Sequence, residues 1–245
     1  MSSISFDDFA DQYESALQRG LSASGESSAY FASGRIQWLK KRLREMGAER
    51  SHTEMVLDFG CGTGNSVPIL LDQLGAKLAI GLDTSEQSLV QARASFAKAQ
   101  PQAHSPAQTG SSTARFENVA TYKPAGDVDV AFCNGVFHHI PLDERANALG
   151  VVFRSLRPSG WFAFWENNPW NPGTRYVMSK IPFDRDANTL SILQSRRMLV
   201  CGGFAIKRID SCFYFPKSLR WFRRFESGLA WLPLGAQYLI LAQKL

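Results

Sequence analysis

The chain has 245 residues, 44% of them hydrophobic and 20% charged, proportions that bury a sizeable core and exclude disorder or collagen-like repetition. Four cysteines (Cys61, Cys133, Cys201, Cys212) show no C-x-x-C pairing, which argues against a disulfide scaffold or a zinc ribbon. The net charge of +5 is local, because residues 204–245 carry seven basic against two acidic side chains and account for all of it.

The opening MSSISFDDFADQY lacks the basic start and apolar run of a secretory signal, so a cytoplasmic location is expected. The longest charge-free run, Ser227–Gln243, is broken by Pro233 and Gly235 and falls short of the roughly 20 apolar residues that cross a bilayer.

In chain order, the pattern predicts helices over Phe6–Gln18 and Arg35–Met46, then a strand over Met55–Phe59 that ends in a glycine-rich turn. Asn65–Leu74 reads as a helix capped by Asn65, with Pro68 tolerated in its first turn. Lys77–Asp83 is the second strand and Ser85–Gln100 the next helix; residues 101–114, rich in Pro, Ser and Gly, form a surface loop. Arg115–Val119 and Val128–Asn134 are strands, Leu142–Leu156 a helix, and Gly160–Trp165 an aromatic-rich fifth strand. Residues 166–184 read as an irregular connection and Arg185–Val200 as a helix ended by Gly202-Gly203. Two last strands, Phe204–Phe215 and Gln237–Lys244, flank a basic helix. Alternation of short apolar runs with helical patterns predicts βαβ units and a mostly parallel sheet.

The informative stretch is VLDFGCGTG, Val56–Gly64. A strand that runs into closely spaced glycines and then a helix lets the backbone turn sharply and approach a ligand. The position of the third glycine in a G-x-G-x-x-G dinucleotide fingerprint is Asn65, so no pyrophosphate site is implied. Asp83 stands at the end of the second strand, where a carboxylate accepts both hydroxyl protons of a ribose.

With these residues in this order, the chain resembles the class I S-adenosylmethionine-dependent methyltransferases that act on small molecules. Asp58–Gly64 matches that family's first motif and Gly81-Leu82-Asp83 its second; Asn134–Ile140 fits the stretch after the fourth strand and Leu156–Gly160 the turn into the fifth. The resemblance implies a Rossmann-like, doubly wound α/β fold: seven strands, mostly parallel, helices on both faces and a C-terminal antiparallel strand. It also implies an N-terminal helical cap over residues 1–50 and a cofactor-binding domain over 51–245, in which residues 166–203 form an acceptor-side insertion.

S-adenosyl-L-methionine is the implied cofactor. Its methionine part falls to Asp58, Gly60, Cys61 and Gly62, its ribose to Asp83 with Thr84, and its sulfonium side to Asn134. Asn118 is the side-chain candidate for adenine, since no acid follows the third strand, and Arg35 is the candidate for the methionine carboxylate. Methyl transfer from a sulfonium mainly needs alignment of the nucleophile and exclusion of water, with a base where the acceptor is protonated. His138, His139 and Glu166 are candidates for that base, and Asn167, Trp170 and Arg175 for the acceptor pocket, Arg175 suiting an anion.

After the fourth strand stands Asn134-Gly135-Val136-Phe137 rather than [DN]-P-P-[YF], which disfavours nucleobase N-methylation. No metal is expected, because Cys133, His138 and His139 lack a further ligand cluster in sequence. Lys217, Arg220 and Arg224 at helical spacing, opposite Leu219, Phe222 and Phe225, leave three uses for the C-terminal helix: packing under the last strands, peripheral membrane contact, or RNA phosphates. The expectation is therefore O-methylation of a lipid- or sugar-linked small molecule, with an RNA methyltransferase or a non-catalytic S-adenosylmethionine-binding protein as alternatives.

Overall fold

A computed structural model describes residues 20–21, 24–48, 53–99, 112–181, 184 and 187–245. The expected helix Phe6–Gln18 and most of the expected loop 101–114 lie outside the described residues, as do positions 185–186 at the start of the expected helix Arg185–Val200.

Helix α1 (Ser28–Glu45) begins seven residues before the expected Arg35. Ser27 caps it, its hydroxyl accepting from Tyr30 N at 3.2 Å. Ala32, Arg35, Ile36, Leu39, Arg42 and Leu43 are its buried residues, the i, i+3, i+4, i+7 stripe of a helix lying on a core. Strand β1 (Met55–Phe59) follows, then α2 (Val67–Leu74), β2 (Leu78–Asp83), α3 (Glu86–Ala99) and β3 (Thr113–Asn118). Helix α2 starts two residues later than expected and Asn65 is not its cap; Ser66 holds that position without a side-chain bond.

Strand β4 (Val128–Asn134) leads to α4 (Arg145–Ser155), which passes straight into β5 (Leu156–Asn167). The expected helix over Leu142–Leu156 is therefore three residues too long at its start, and the LRPSG stretch belongs to the strand. The stretch 166–184 is not wholly irregular. Asn171 Oδ1 accepts from Thr174 N at 2.9 Å, and Pro172 in the first turn opens α5 (Pro172–Lys180). Helix α6 (Ile192–Cys201) starts well after Arg185 because Ser191 and Gln194 form a capping box there.

Strands β6 (Phe204–Cys212) and β7 (Gln237–Lys244) are antiparallel to each other. Between them, Lys217–Phe225 is a 3₁₀ helix kinked at Leu219, followed by the short α7 (Glu226–Leu229). No residue of that 3₁₀ segment is buried, so it does not pack its aromatics under the last strands.

The sheet has seven strands in the order β3-β2-β1-β4-β5-β7-β6. Pairings from β3 to β5 are parallel, and β7 enters antiparallel between β5 and β6. Both faces are covered, which explains the near-continuous apolar runs of the central strands. One core gathers Ile36 and Leu39 of α1 with Val56, Phe132 and Trp165; the other sets Leu149 and Leu199 against Leu57, Phe162 and Tyr238. A buried ion pair ties α1 to β6, Arg42 Nε lying 2.5 Å from Asp210 Oδ2. The strand order reverses between β1 and β4, and the crevice beyond their carboxyl ends is where open α/β sheets bind ligands.

Candidate active site

Two chain reversals flank that crevice. At the end of β1 the backbone enters positive φ at Gly60 (+76°) and Gly62 (+52°), a region closed to most side chains. The Gly60 and Cys61 amides both donate to Leu82 O, at 2.7 and 2.9 Å, which braces the turn on the end of β2. A Cβ at Gly60 would stand 2.3 Å from Val136 Cγ2, whereas one at Gly62 would meet nothing within 4 Å. The turn is thus pressed against the loop after β4 on one side and open on the other.

The Gly62 amide donates to Asp83 Oδ2 at 2.8 Å, and the Ser85 amide to Asp83 Oδ1 at 2.9 Å. These bonds fix the carboxylate beside the turn. Gly60, Gly62, Thr63, Asp83 and Thr84 line a cavity of 740 Å³ that continues past Asn134 and Gly135. Behind it Asp58 is buried; desolvation and the neighbouring Asp83 push its pKa up to about 7, against the pull of Arg35. Asp58 Oδ2 and Asn134 Oδ1 are buried acceptors with no hydrogen-bond partner among the described residues. Open space over Gly62, a fixed carboxylate and two unmet acceptors fit a ligand that brings ribose hydroxyls and positive charge.

A second cavity of 350 Å³ adjoins the first and shares Asn134, Gly135 and His139 with it. One side of its wall is aromatic, with Tyr30 and Phe31 of α1 and Phe213, Tyr214 and Phe215 beyond β6. Arg35 also lines it, donating from Nη1 to Gln237 Oε1 at 3.0 Å. Arg223 pairs with Glu26 at 2.9 Å.

At the junction lies a buried cluster. His138 Nδ1 is 2.6 Å from Glu166 Oε2, and Glu166 Oε1 accepts from the His138 amide at 3.3 Å. Asp184 Oδ1 stands 3.5 Å from His138 Nε2 and 3.2 Å from His139 Nε2. Burial opposes the cation at His138, yet Glu166 and Asp184 together push its pKa up to about 10. Burial lowers that of His139, with Asp184 working the other way.

The structure thus brings together Gly60, Gly62, Asp83, Thr84 and Asn134 around the first cavity, with Asp58 buried near Asp83 and Arg35, and Arg35, His138, His139 and Asn167 around the second. Four expectations need correction. Cys61 turns its thiol into the core, where Gly81 has room only because it lacks a Cβ, so this residue contributes backbone alone. Asn118 spends its amide on Thr84 O and its Oδ1 on Ala120 N, bracing the loop while Val119 lines the cavity. Glu166 does not face the acceptor; it lies behind His138 and lines neither cavity. Trp170 and Arg175 are exposed and lie outside both cavities. Asp184 and the aromatic wall were missed, because nothing in their spacing marks residues that meet only after the chain has crossed the sheet.

The strand order, the glycine turn and the acid ending β2 define a class I, S-adenosylmethionine-binding fold. Residues 57–162 match the family model described as a methyltransferase domain. Among curated proteins the chain is similar to the trans-aconitate 2-methyltransferase of Rhodopseudomonas palustris (strain BisB5), 37% identical over 129 residues, 53% of this chain and 44% of that protein. It is also similar to the one of Azoarcus sp. (strain BH72), 28% identical over 127 residues, 52% of this chain and 44% of that protein. The chain therefore spans less than half the length of these relatives.

Among solved structures, a methyltransferase of Thermotoga maritima, described as a possible histamine N-methyltransferase, superposes with a TM-score of 0.61 at 17% identity, covering 98% of each chain. One from Mesorhizobium loti gives 0.55 at 20% identity, covering 82% of this chain and 96% of that one. At these identities the two establish the fold. The chain thus has the fold of the S-adenosylmethionine-dependent methyltransferases, and its residues 57–162 match the methyltransferase domain.

Proposed function

We propose that the protein methylates an oxygen of an amphiphilic small molecule, with S-adenosylmethionine as donor and a lipid-linked compound as acceptor. The observation that carries this reading is the junction at Asn134, Gly135 and His139, residues common to the two cavities. Molecules seated one in each cavity meet there.

S-adenosylmethionine, when bound, supplies a methyl group already activated on a sulfonium. Gly62 presents open backbone to its methionine part beside the tightly packed Gly60, Asp83 accepts from its ribose, and the buried acceptors of Asp58 and Asn134 suit its cationic end. The second cavity then excludes water with its aromatic walls and aligns the acceptor. His138, His139 and Asp184 are the polar cluster within reach of an acceptor hydroxyl at the junction.

The curated relatives are named for a tricarboxylate. Here Arg223 on the cavity wall is neutralised by Glu26, Arg35 donates to the neutral Gln237, and one side of the wall is a run of aromatic rings, Tyr30, Phe31 and Phe213 to Phe215. Those features favour an acceptor with less charge and more apolar surface.

The cavity rim continues through Phe215 and Pro216 into the 3₁₀ segment. A 3₁₀ turn eclipses side chains three apart, setting Arg220 and Arg223 in one row and Phe222 and Phe225 in another beyond the kink at Leu219. Trp221, Phe222 and Phe225 are half or more exposed, the arrangement of a surface that rests on anionic lipid. Among the described residues no helix is long and apolar enough to cross a membrane.

The test incubates the protein with methyl-labelled donor and cell extract divided into lipid, soluble glycan and RNA fractions. Label in the lipid fraction is expected. Label confined to RNA, or no binding of S-adenosylmethionine by calorimetry, would overturn the proposal.

A further inference from the structure

We propose that His138, His139 and Asp184 form a binding site for a divalent transition-metal ion in the wall of the acceptor cavity. The three side chains offer ligand atoms that all lie within 4.8 Å of one another. The separations of 3.2 and 3.5 Å between Asp184 Oδ1 and the two Nε2 atoms are long for charge-assisted hydrogen bonds, which run about 2.7–2.9 Å. Ligands held about 2.1 Å from one ion at octahedral or tetrahedral angles stand about 3.0–3.4 Å apart. The 3.2 Å separation falls in that range and the 3.5 Å one lies just beyond it.

The surroundings of His138 point the same way. Its ring is buried and its Nε2, which faces Asp184, makes no hydrogen bond of ordinary geometry. On the opposite side Nδ1 meets Glu166 at 2.6 Å. A carboxylate behind an imidazole is the usual device that fixes the tautomer and turns the other nitrogen's lone pair toward a metal.

Backbone bonds hold the partners in place. The His139 amide donates to Val136 O, setting the two rings 4.0 Å apart, and the Asn188 amide donates to His138 O. Arg145 ties Asn188 O back to the loop after β4. An ion must displace any proton from both imidazoles; the carboxylates of Glu166 and Asp184 then remain beside it.

Two nitrogens and one oxygen suit Zn²⁺, Co²⁺, Mn²⁺ or Fe²⁺ better than Mg²⁺ or Ca²⁺. Three protein ligands leave a coordination position open, and all three residues line the acceptor cavity. On the methyl-transfer reading, an acceptor hydroxyl would take that position, where a cation lowers the pKa of a bound hydroxyl; the binding of the ion does not depend on that reading.

The metal-free full chain is titrated with Zn²⁺ by calorimetry and with Co²⁺ by visible absorption, with donor affinity measured on the same preparation. One ion per chain is expected, with a metal-dependent rise in Tm. Asp184→Asn and His139→Gln should abolish both, and Glu166→Gln should weaken binding about 10–100-fold, while each variant melts cooperatively without metal. If Asp184→Asn fails to fold, His139→Gln and Glu166→Gln carry the comparison. No uptake by the wild type, or uptake unchanged in the variants that fold, overturns the site. Donor binding without metal uptake removes the metal alone, and metal uptake without donor binding removes the methyl-transfer reading alone.

Discussion

The backbone amide of Gly62 donates to Asp83 Oδ2 at 2.8 Å, so the carboxylate that ends β2 also holds the turn that ends β1. Asp83 therefore has two duties, bracing the turn and accepting from the donor's ribose. Asp83→Ala should lower S-adenosylhomocysteine affinity by more than a hydroxyl contact alone, on the order of 10–100-fold for hydrogen bonds to a charged group. Asp83→Asn keeps the shape and one acceptor and should fall between. Calorimetry on the three proteins measures this, and equal affinities would remove Asp83 from the site.

How much of this could be read beforehand depends on how local the cause is. Met55–Phe59 and Val128–Asn134 were legible to the residue, because fully buried parallel strands show as unbroken apolar runs. The donor half of the site was legible too, since Gly60, Gly62 and Asp83 lie within 24 residues and their chemistry is carried by backbone and one acid. Helix α5 was hidden because Asn171, Pro172 and Gly173 look like loop composition, although an Asn cap followed by Pro is equally a helix start. The acceptor half was legible only in part, through Arg35, His138, His139 and Asn167. Its wall joins α1, the loops after β4 and β5, and the segment after β6, a meeting set by the strand order. Glu166 was placed at the right end of β5, but only the fold shows that His138 stands in front of it.

Asp58 supplies a pH test with a definite sign. Its pKa rises from 3.8 to about 7 in the folded chain because burial and Asp83 disfavour the charge. Between those values the folded state binds more protons than the unfolded one, so this group's contribution to stability falls as pH rises through the window. Ligand-free Tm should therefore drop from about pH 5 to about pH 8 more steeply in the wild type than in Asp58→Asn. A cationic ligand reverses the balance, because the ionised carboxylate then has a partner. The Tm rise on adding S-adenosylmethionine should grow across the same range in the wild type and stay flat in the variant.

Asp210 tests what holds α1 on the sheet. It is fully buried, and its Oδ2 accepts from Arg42 Nε at 2.5 Å and Trp38 Nε1 at 2.9 Å, while Oδ1 accepts from Arg208 Nε at 2.9 Å. Removing the acid leaves the buried guanidinium of Arg42 with Glu45 as its remaining carboxylate, a loss approaching the about 3–5 kcal/mol of a broken buried pair. Asp210→Ala should show this in chemical denaturation. Arg42→Met with Asp210→Leu should recover much of it, since replacing both members of a buried pair by apolar groups avoids the unpaired charge. Because α1 also carries Arg35, Tyr30 and Phe31 into the acceptor cavity, Asp210→Ala should weaken acceptor binding more than donor binding.

The exposed 3₁₀ segment gives the last test. Lys217, Arg220 and Arg224 are exposed, and the segment has no buried residue, so changing them should leave stability within about 0.5 kcal/mol. Attraction to anionic lipid is worth about 1 kcal/mol per basic residue near the surface and is screened by salt. Lys217→Glu with Arg220→Glu and Arg224→Glu should therefore cut sedimentation with phosphatidylserine vesicles by at least about 100-fold at low salt. Trp221→Ala with Phe225→Ala should reduce binding at high salt, where the apolar contribution remains. Neutral phosphatidylcholine vesicles serve as the comparison. Binding that ignores vesicle charge, salt and both sets of substitutions would show that this face meets no lipid, and would turn the acceptor toward a soluble compound entering the same rim.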